Sequence, residues 1–301
     1  MMKMSENQLR SAEDLLHPAG GPDMSGLAPN GEKKLLIDTE KGRYARYPIR
    51  THVVMKGDSL TDLLDKYVRP YLMEGDQVFL SEKMVSISQG RAFPISEIKV
   101  SRLAKFLVKF VYKSPYGVGL GSPWTMELAI RDIGRPRILL AAFCAAVTKP
   151  FGIRGVFYNI LGPKARSIDG PGDYVLPPFN KYAKMSPLEP DKVARELSDY
   201  IGHDVIVLDA NDLGCEILGK PCEKPELELN LVRQIFKDNP LAQSAQQTPV
   251  CLVRKVADDA EEPVFPGEAE ADQPVEQPAA EGETPVEADG TEKTPAEKAG
   301  E

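Results

Sequence analysis

In the stretch VIVLDANDLGCEILG, residues 205–219, an apolar run leads straight into Asp209, Asn211 and Asp212. Two carboxylates ~4 Å apart repel by about 4 kcal/mol at an effective dielectric near 20. A cation removes that cost, and hard divalent ions such as Mg²⁺ or Mn²⁺ take carboxylate and amide oxygens. The same D-x-N-D-x-G pattern is also good turn chemistry, because Asp and Asn favour turns and Gly accepts positive φ. The residues alone leave both readings open, a metal site at the end of a strand or a tight turn.

Two further segments carry candidate chemistry. In SIDGPGDY, residues 167–174, the run Gly170-Pro171-Gly172 forces a bend that could bring Asp169 and Asp173 together. The alternative is a surface turn with solvated acids. In SEKMVSISQGR, residues 81–91, Lys83, Ser86, Gln89 and Arg91 offer donors beside Gly90, where the backbone can approach a ligand. Phosphate would suit those donors, although no Walker motif is present. A polar connection between two strands is the other reading. Three histidines, no G-x-S-x-G and no His/Cys cluster with zinc spacing argue against a Ser-His hydrolase or a zinc enzyme.

The elements that must position these residues can be sketched from periodicity. YPIRTHVV, residues 47–54, has the β-branched content of a strand, and Ser59 with Asp62 opens a helix in the manner of a capping box. Leu60, Leu63, Leu64, Tyr67 and Val68 form its apolar stripe, and Pro70 limits it. A turn at Glu74–Asp76 precedes the strand QVFLS. Helical faces follow from Ser101 and around Met126 to Ile133, and the apolar run Ile138 to Val147 predicts a buried helix or strand. That run is about half the ~20 residues of a membrane span. PDKVARELSDYIG is a helix closed by Gly202, DVIVLD a strand, 227–236 a helix and TPVCLVRK a last strand. Helices and strands intermix without a βαβ rhythm, which predicts an α+β fold.

Charge divides the chain. The net charge of -8 conceals a tail, residues 258–301, that carries -13, so the remainder is +5. The tail is rich in Glu, Pro, Ala and Gly and too poor in large apolar residues to offset the entropy of ordering. The expected organisation is a poorly ordered arm over 1–43 with one helical turn near Glu13–Leu16, a folded body over 44–256 and a disordered acidic tail over 257–301. A mildly basic body suits anionic ligands, but it lacks the Lys/Arg clustering of a nucleic-acid binder. No nucleic acid and no membrane are expected as partners. Four cysteines without C-x-x-C spacing, and a start without an apolar core, predict a cytoplasmic protein.

Taken in order, GDSLTDLL, LMEGDQVFLSEKMVSISQGR, SIDGPGDY and LDANDLG resemble the motifs of the gamma-glutamyl ligase family of coenzyme F-420, the CofE family, over about Tyr44 to Lys255. Those family motifs read GDD-L, DGD followed by a hydrophobic stretch, QK-x-VSK-x-EGR, GID-x-SN and D-T-F-G. The resemblance implies two α+β subdomains with mixed and antiparallel sheets, intertwined in a homodimer. It also implies a ligase that uses GTP (or ATP) with Mg or Mn to join glutamate to a small-molecule carboxylate acceptor. By matched position, Asp169 would be a metal ligand, and Asp209, Asn211 and Asp212 a second metal site. Ile49, Arg50 and Thr51 would form the first nucleotide-binding stretch, and Glu82, Lys83, Ser86 and Arg91 the second.

The chain departs from the family at defined points. Ile87 stands where VSK has its lysine, Gln89 replaces the glutamate before GR, Gly170-Pro171-Gly172 replaces serine-asparagine, and Cys215 stands at the arginine after D-T-F-G. Losing a phosphate-facing lysine changes the charge of the site. Three functions compete: an amide ligase working through an acyl phosphate, a non-catalytic nucleotide- or ligand-binding protein on the same fold, and a metal-dependent phosphohydrolase.

Overall fold

The computed structural model describes residues 9–111, 119–173, 175–211, 214–221, 229–241 and 246–265. Asp212 and the chain from residue 266 onward lie outside them.

Strand residues alternate between two apolar faces, and this builds the body. The strands are β1 (Leu36–Thr39), β2 (Gly42–Ile49), β3 (Gln77–Ser81), β4 (Ala92–Pro94), β5 (Tyr182–Lys184), β6 (Asp204–Asn211), β7 (Gly214–Gly219) and β8 (Val250–Lys255). Six form one sheet in the order β1-β2-β8-β3-β6-β7, while β4 and β5 form a separate antiparallel pair. Within the large sheet β3 and β6 run parallel and the other neighbours antiparallel. Val78, Leu80, Val205, Val207, Val250 and Leu252 point to one side, and Phe79, Ile206, Leu208, Cys251 and Val253 to the other. Strands buried on both faces read as continuous apolar runs, as VIVL does.

The helices are α1 (Ala12–Leu16), α2 (Leu60–Leu63), α3 (Glu82–Ser88), α4 (Arg102–Leu107), α5 (Pro123–Ile133), α6 (Arg135–Thr148), α7 (Val156–Leu161), α8 (Pro163–Arg166), α9 (Pro190–Ile201) and α10 (Leu229–Ile235). A π-helical turn continues α2 through Val68. Ser59 caps α2 by accepting from the Asp62 amide, as its position predicts. Leu63, Leu64 and Val68, with Ala194, Leu197 and Ile201 of α9, cover the first face of the sheet. Val232 and Ile235 of α10 cover the second. A further core within the helical layer gathers Leu107, Leu120, Met126, Ile130, Ile138 and Leu161. This is an α+β fold with a mixed curled sheet, as expected.

Several expectations need correction. Residues 9–43, expected as a poorly ordered arm with one helical turn near Glu13–Leu16, carry that turn as α1 but also β1, and they bury Leu15, Met24 and Leu35 in the main core. Their apolar residues are scattered because they pack on distant partners. The Ala257 amide bonds the Leu9 carbonyl, and Glu262 accepts from the Leu35 and Leu36 amides. The body accordingly extends past 256, with Ala260 and Phe265 buried. The strand expected over 47–54 is β2, Gly42–Ile49, and it ends at Ile49. The segment after QVFLS is a helix, α3, rather than a polar connection. The run Ile138 to Val147 is helical but not buried: within α6 only Ile138 and Ala141 are enclosed, and Leu139, Leu140, Phe143 and Val147 are exposed.

Candidate functional site

Strand register creates the site. The parallel pairing of β3 with β6 places Ser81 opposite Leu208, so the next residues, Glu82 at the start of α3 and Asp209 still within β6, follow side by side on neighbouring strands. On the other side, Asp169 and Lys184 of β5 exchange backbone hydrogen bonds, the Asp169 amide to the Lys184 carbonyl at 3.1 Å and the reverse at 2.9 Å. Residues from four parts of the chain thereby meet.

Their side chains form a charged cluster. Lys184 Nζ donates to both Glu82 oxygens at 2.6 and 2.7 Å and to the Ser167 carbonyl at 2.7 Å, which uses all three ammonium protons. The Glu82 and Lys184 side chains are only 1% and 7% exposed. Lys83 Nζ lies 3.0 Å from Asp169 Oδ2, and here both side chains are about two-fifths exposed, at 41% and 42%. That exposure is into a cavity of about 180 Å³, lined by Lys83, Asp169 and Lys184 together with Thr51, Gln247 and an apolar wall. One pair is sealed, and the other is presented.

Three carboxylates share two ammonium groups, so the cluster carries an excess acid. Burial pushes the Glu82 carboxyl up to about 7; Lys184 opposes the shift, while Asp209 and Asp169 add to it. Burial also raises Asp209, again with Asp169 and Glu216 pushing up against the two lysines. Asp169 moves the other way, because Lys83 and Lys184 together outweigh its burial and hold it below the ordinary carboxylate range. Lys83 is held in its charged form by Asp169 first, and by Glu82 and Asp209. The arrangement can present a cation beside a carboxylate to an anionic group, and it leaves Asp209 under-neutralised.

The expected site residues divide accordingly. Thr51 and Lys83 line the cavity. Arg50 is exposed and donates through Nη2 at 3.0 Å to Oε1 of Gln247, a wall residue. Ile49 is buried in β2, and Glu82 is committed to Lys184. Ser86 Oγ donates to the Met185 carbonyl at 2.5 Å. Arg91 spans the Ser186 carbonyl and Asp132, both at 2.5 Å, so these two side chains tie α3 and β4 to the segment after β5. Asp169 and Asp209 do come together. Asn211 is exposed and pairs with Gly214 across the β6–β7 hairpin, and Asp212 lies outside the described residues. Asp209 therefore lies within β6, paired with Glu216 of β7, rather than behind the end of the strand.

Among the described residues no group of three or more His, Cys, Asp or Glu side chains is arranged to hold a metal ion. What fits a cation is the surplus negative charge at Asp209 beside Asp169. The departure at Cys215 keeps its electrical consequence, because burial pushes this thiol up to about 11 and leaves it neutral where an arginine would be charged.

Sequence reasoning missed Lys184 altogether. The signal was a lone lysine in a short strand, YAK, between apolar neighbours, and a buried lysine requires a partner. It also passed over His52, which lines the cavity with Nε2 at 3.0 Å from Asp58 Oδ2 and Nδ1 at 3.0 Å from the Tyr67 hydroxyl.

The family model for F420-0:gamma-glutamyl ligase matches residues 48–212, more than half of the chain, and the span includes every member of the charged cluster. The chain belongs to the F420-0:gamma-glutamyl ligase family. No curated protein matches it.

Proposed function

We propose that the protein is an acid–amino acid ligase that uses GTP or ATP with Mg²⁺ or Mn²⁺ to join glutamate or a similar amino acid to a carboxylate through an acyl phosphate. The observation that supports this most directly is the Lys83–Asp169 pair, presented to a cavity within the matched span. Phosphoryl transfer to a carboxylate brings two anions together, and it is carried mainly by positioning and charge neutralisation. Lys83 neutralises the phosphoryl and carboxylate oxygens. Asp169 orients the Lys83 ammonium, and the sealed Glu82–Lys184 pair fixes the backbone that carries both. A divalent ion, when bound, screens phosphate charge, and Asp169, Asp209, Asn211 and Asp212 are the residues that would hold it. The test is release of nucleoside diphosphate and inorganic phosphate with glutamate and a carboxylate acceptor. Release that requires the acceptor supports the ligase, whereas release from nucleotide and metal alone indicates a phosphohydrolase.

A second reading, a non-catalytic binding protein, is favoured by the uncharged Ile87 and Cys215 at two positions where the family carries basic residues. Nucleotide and metal would then raise the melting temperature without turnover.

The homodimer is proposed on the helical layer. Phe143 and Phe151 are 67% and 79% exposed and lie with Leu140 on and just beyond α6, an apolar surface of the kind that marks protein–protein contacts. Light scattering coupled to gel filtration should give twice the 33.1 kDa chain mass.

A further inference from the structure

The cavity has one charged end. Lys83, Lys184 and Asp169 are the charged side chains among its described lining residues, and they sit together. Lys184 has no proton to spare, whereas Lys83 commits one of three to Asp169. Away from that end the wall carries no further charge: Val54, Ile87, Val175, Leu176 and Phe179 are apolar, the Thr51 and Thr248 hydroxyls donate to the His52 and Leu241 carbonyls, and both His52 ring nitrogens are engaged by Asp58 and Tyr67. Ile87 is one of the departures from the family motif, so the apolar wall includes a position where the resemblance implies a lysine. Size sets the scale of what the recess itself can hold. The cavity measures about 180 Å³, and an apolar cavity of ~150 Å³ is known to hold a benzene molecule. One ring or a short branched chain with a carboxylate fits. A second negative charge would meet no second available cation among the described lining residues, and losing its water there is costly.

From this we infer that the acceptor is a small monocarboxylic acid with an apolar body, its carboxylate on Lys83 and its body against Ile87, Leu176 and Phe179. The inference rests on the ligase reading for the acceptor's role, but its binding chemistry can be tested separately.

Binding to the full-length protein is measured by ligand-observed NMR and calorimetry with four probes: benzoate, 3-methylbutanoate, benzamide and succinate. Benzoate and 3-methylbutanoate should bind at least about tenfold more tightly than benzamide, which lacks the charge, or succinate, which carries two. Lys83→Met should remove the preference for benzoate over benzamide. Ile87→Lys, at a partly exposed position, should reverse the order of benzoate and succinate, and it supplies the answer if Lys83→Met fails to fold. Equal affinity for all four probes, or a benzoate preference untouched in both variants, overturns the inference. If nucleotide and Mg²⁺ raise the melting temperature while benzoate does not bind, the acceptor class is wrong and the ligase reading stands. If benzoate binds as described but no nucleotide is ever turned over with any amine, the ligase reading is wrong and the cavity chemistry stands.

Discussion

Two buried charged regions sit on the same sheet and differ in balance. Asp76, at the turn before β3, grips Arg254 of β8 through both carboxylate oxygens at 2.7 Å, and the two side chains are 0% and 5% exposed. One acid meets one base, and no solvent reaches them. Around Asp169, three acids share two lysines, and one of the pairs faces a cavity. A closed one-to-one pair holds a fold, since each charge has its geometric complement and the one donor left over, Arg254 Nη1, is sealed away from any ligand. A cluster with surplus charge and an exposed donor has something to offer a ligand. In the sequence both regions look alike, because GD before β3 and ID before Gly170 are each an aspartate in a glycine turn.

The largest expected effect comes from breaking the closed pair. Asp76→Ala strands Arg254 inside the core, and leaving one buried charge uncompensated costs about 3–5 kcal/mol. Urea denaturation followed by circular dichroism measures it. Lys83→Ala removes a side chain with 41% exposure and should cost under about 1 kcal/mol in the same assay. If the two variants lose equal stability, the distinction between fold lock and site fails.

Activity should show the reverse order. On the ligase reading, Lys83→Ala lowers acceptor-dependent nucleoside diphosphate release by about 10²–10³-fold, as expected for loss of one preorganised charge donor. Asp169→Asn keeps the shape of the side chain and should fall in the same range, because Lys83 loses the partner that aims it. Lys83→Ala at wild-type rate would refute the proposed role.

Acid titration separates the two regions a third way. Glu82 has its folded pKa raised from 4.5 to about 7, so the folded state holds a proton that the unfolded chain releases. The favourable contribution is complete below about pH 4.5 and is lost as pH rises through about 7, a total of about 3 kcal/mol at ~1.4 kcal/mol per unit. Glu82→Gln should flatten the stability curve over that window, read as the urea midpoint between pH 4.5 and 8. An unchanged slope would show that Glu82 stays ionised throughout.

How much of this was legible beforehand depended on distance along the chain. The strands QVFLS and DVIVLD and helix α9 are encoded within ten or so residues by alternation, spacing and a closing glycine, and the structure carries them where the pattern puts them. Asp169 and Asp209 could be picked out as individually suspicious. What was not legible is that Asp209 would answer to Glu82 and Lys184, because that depends on the parallel register of β3 and β6 and on the bridge between Asp169 and β5. The same reason hid the order of residues 9–43, whose leucines have no local periodicity and pack against a segment more than 200 residues away.

The smallest expected effect lies at the rim. Arg166 and Glu216 are 43% and 34% exposed and approach to 3.0 Å, a solvent-reached pair of the kind that contributes only about 0–1 kcal/mol. Glu216 nevertheless faces inward electrically, since it is one of the charges that raise Asp209. Glu216→Gln should therefore change the urea midpoint little, while lowering the pKa at which Asp209 titrates, observed by carboxyl-carbon NMR. If the pKa stays fixed, Asp209 owes its shift to burial and the inner acids alone, and the surplus charge of the site stops at Glu82, Asp169 and Asp209. If it drops, the unbalanced region extends across β6 to β7, and the cluster and its rim form one electrostatic unit that the closed Asp76–Arg254 pair does not share.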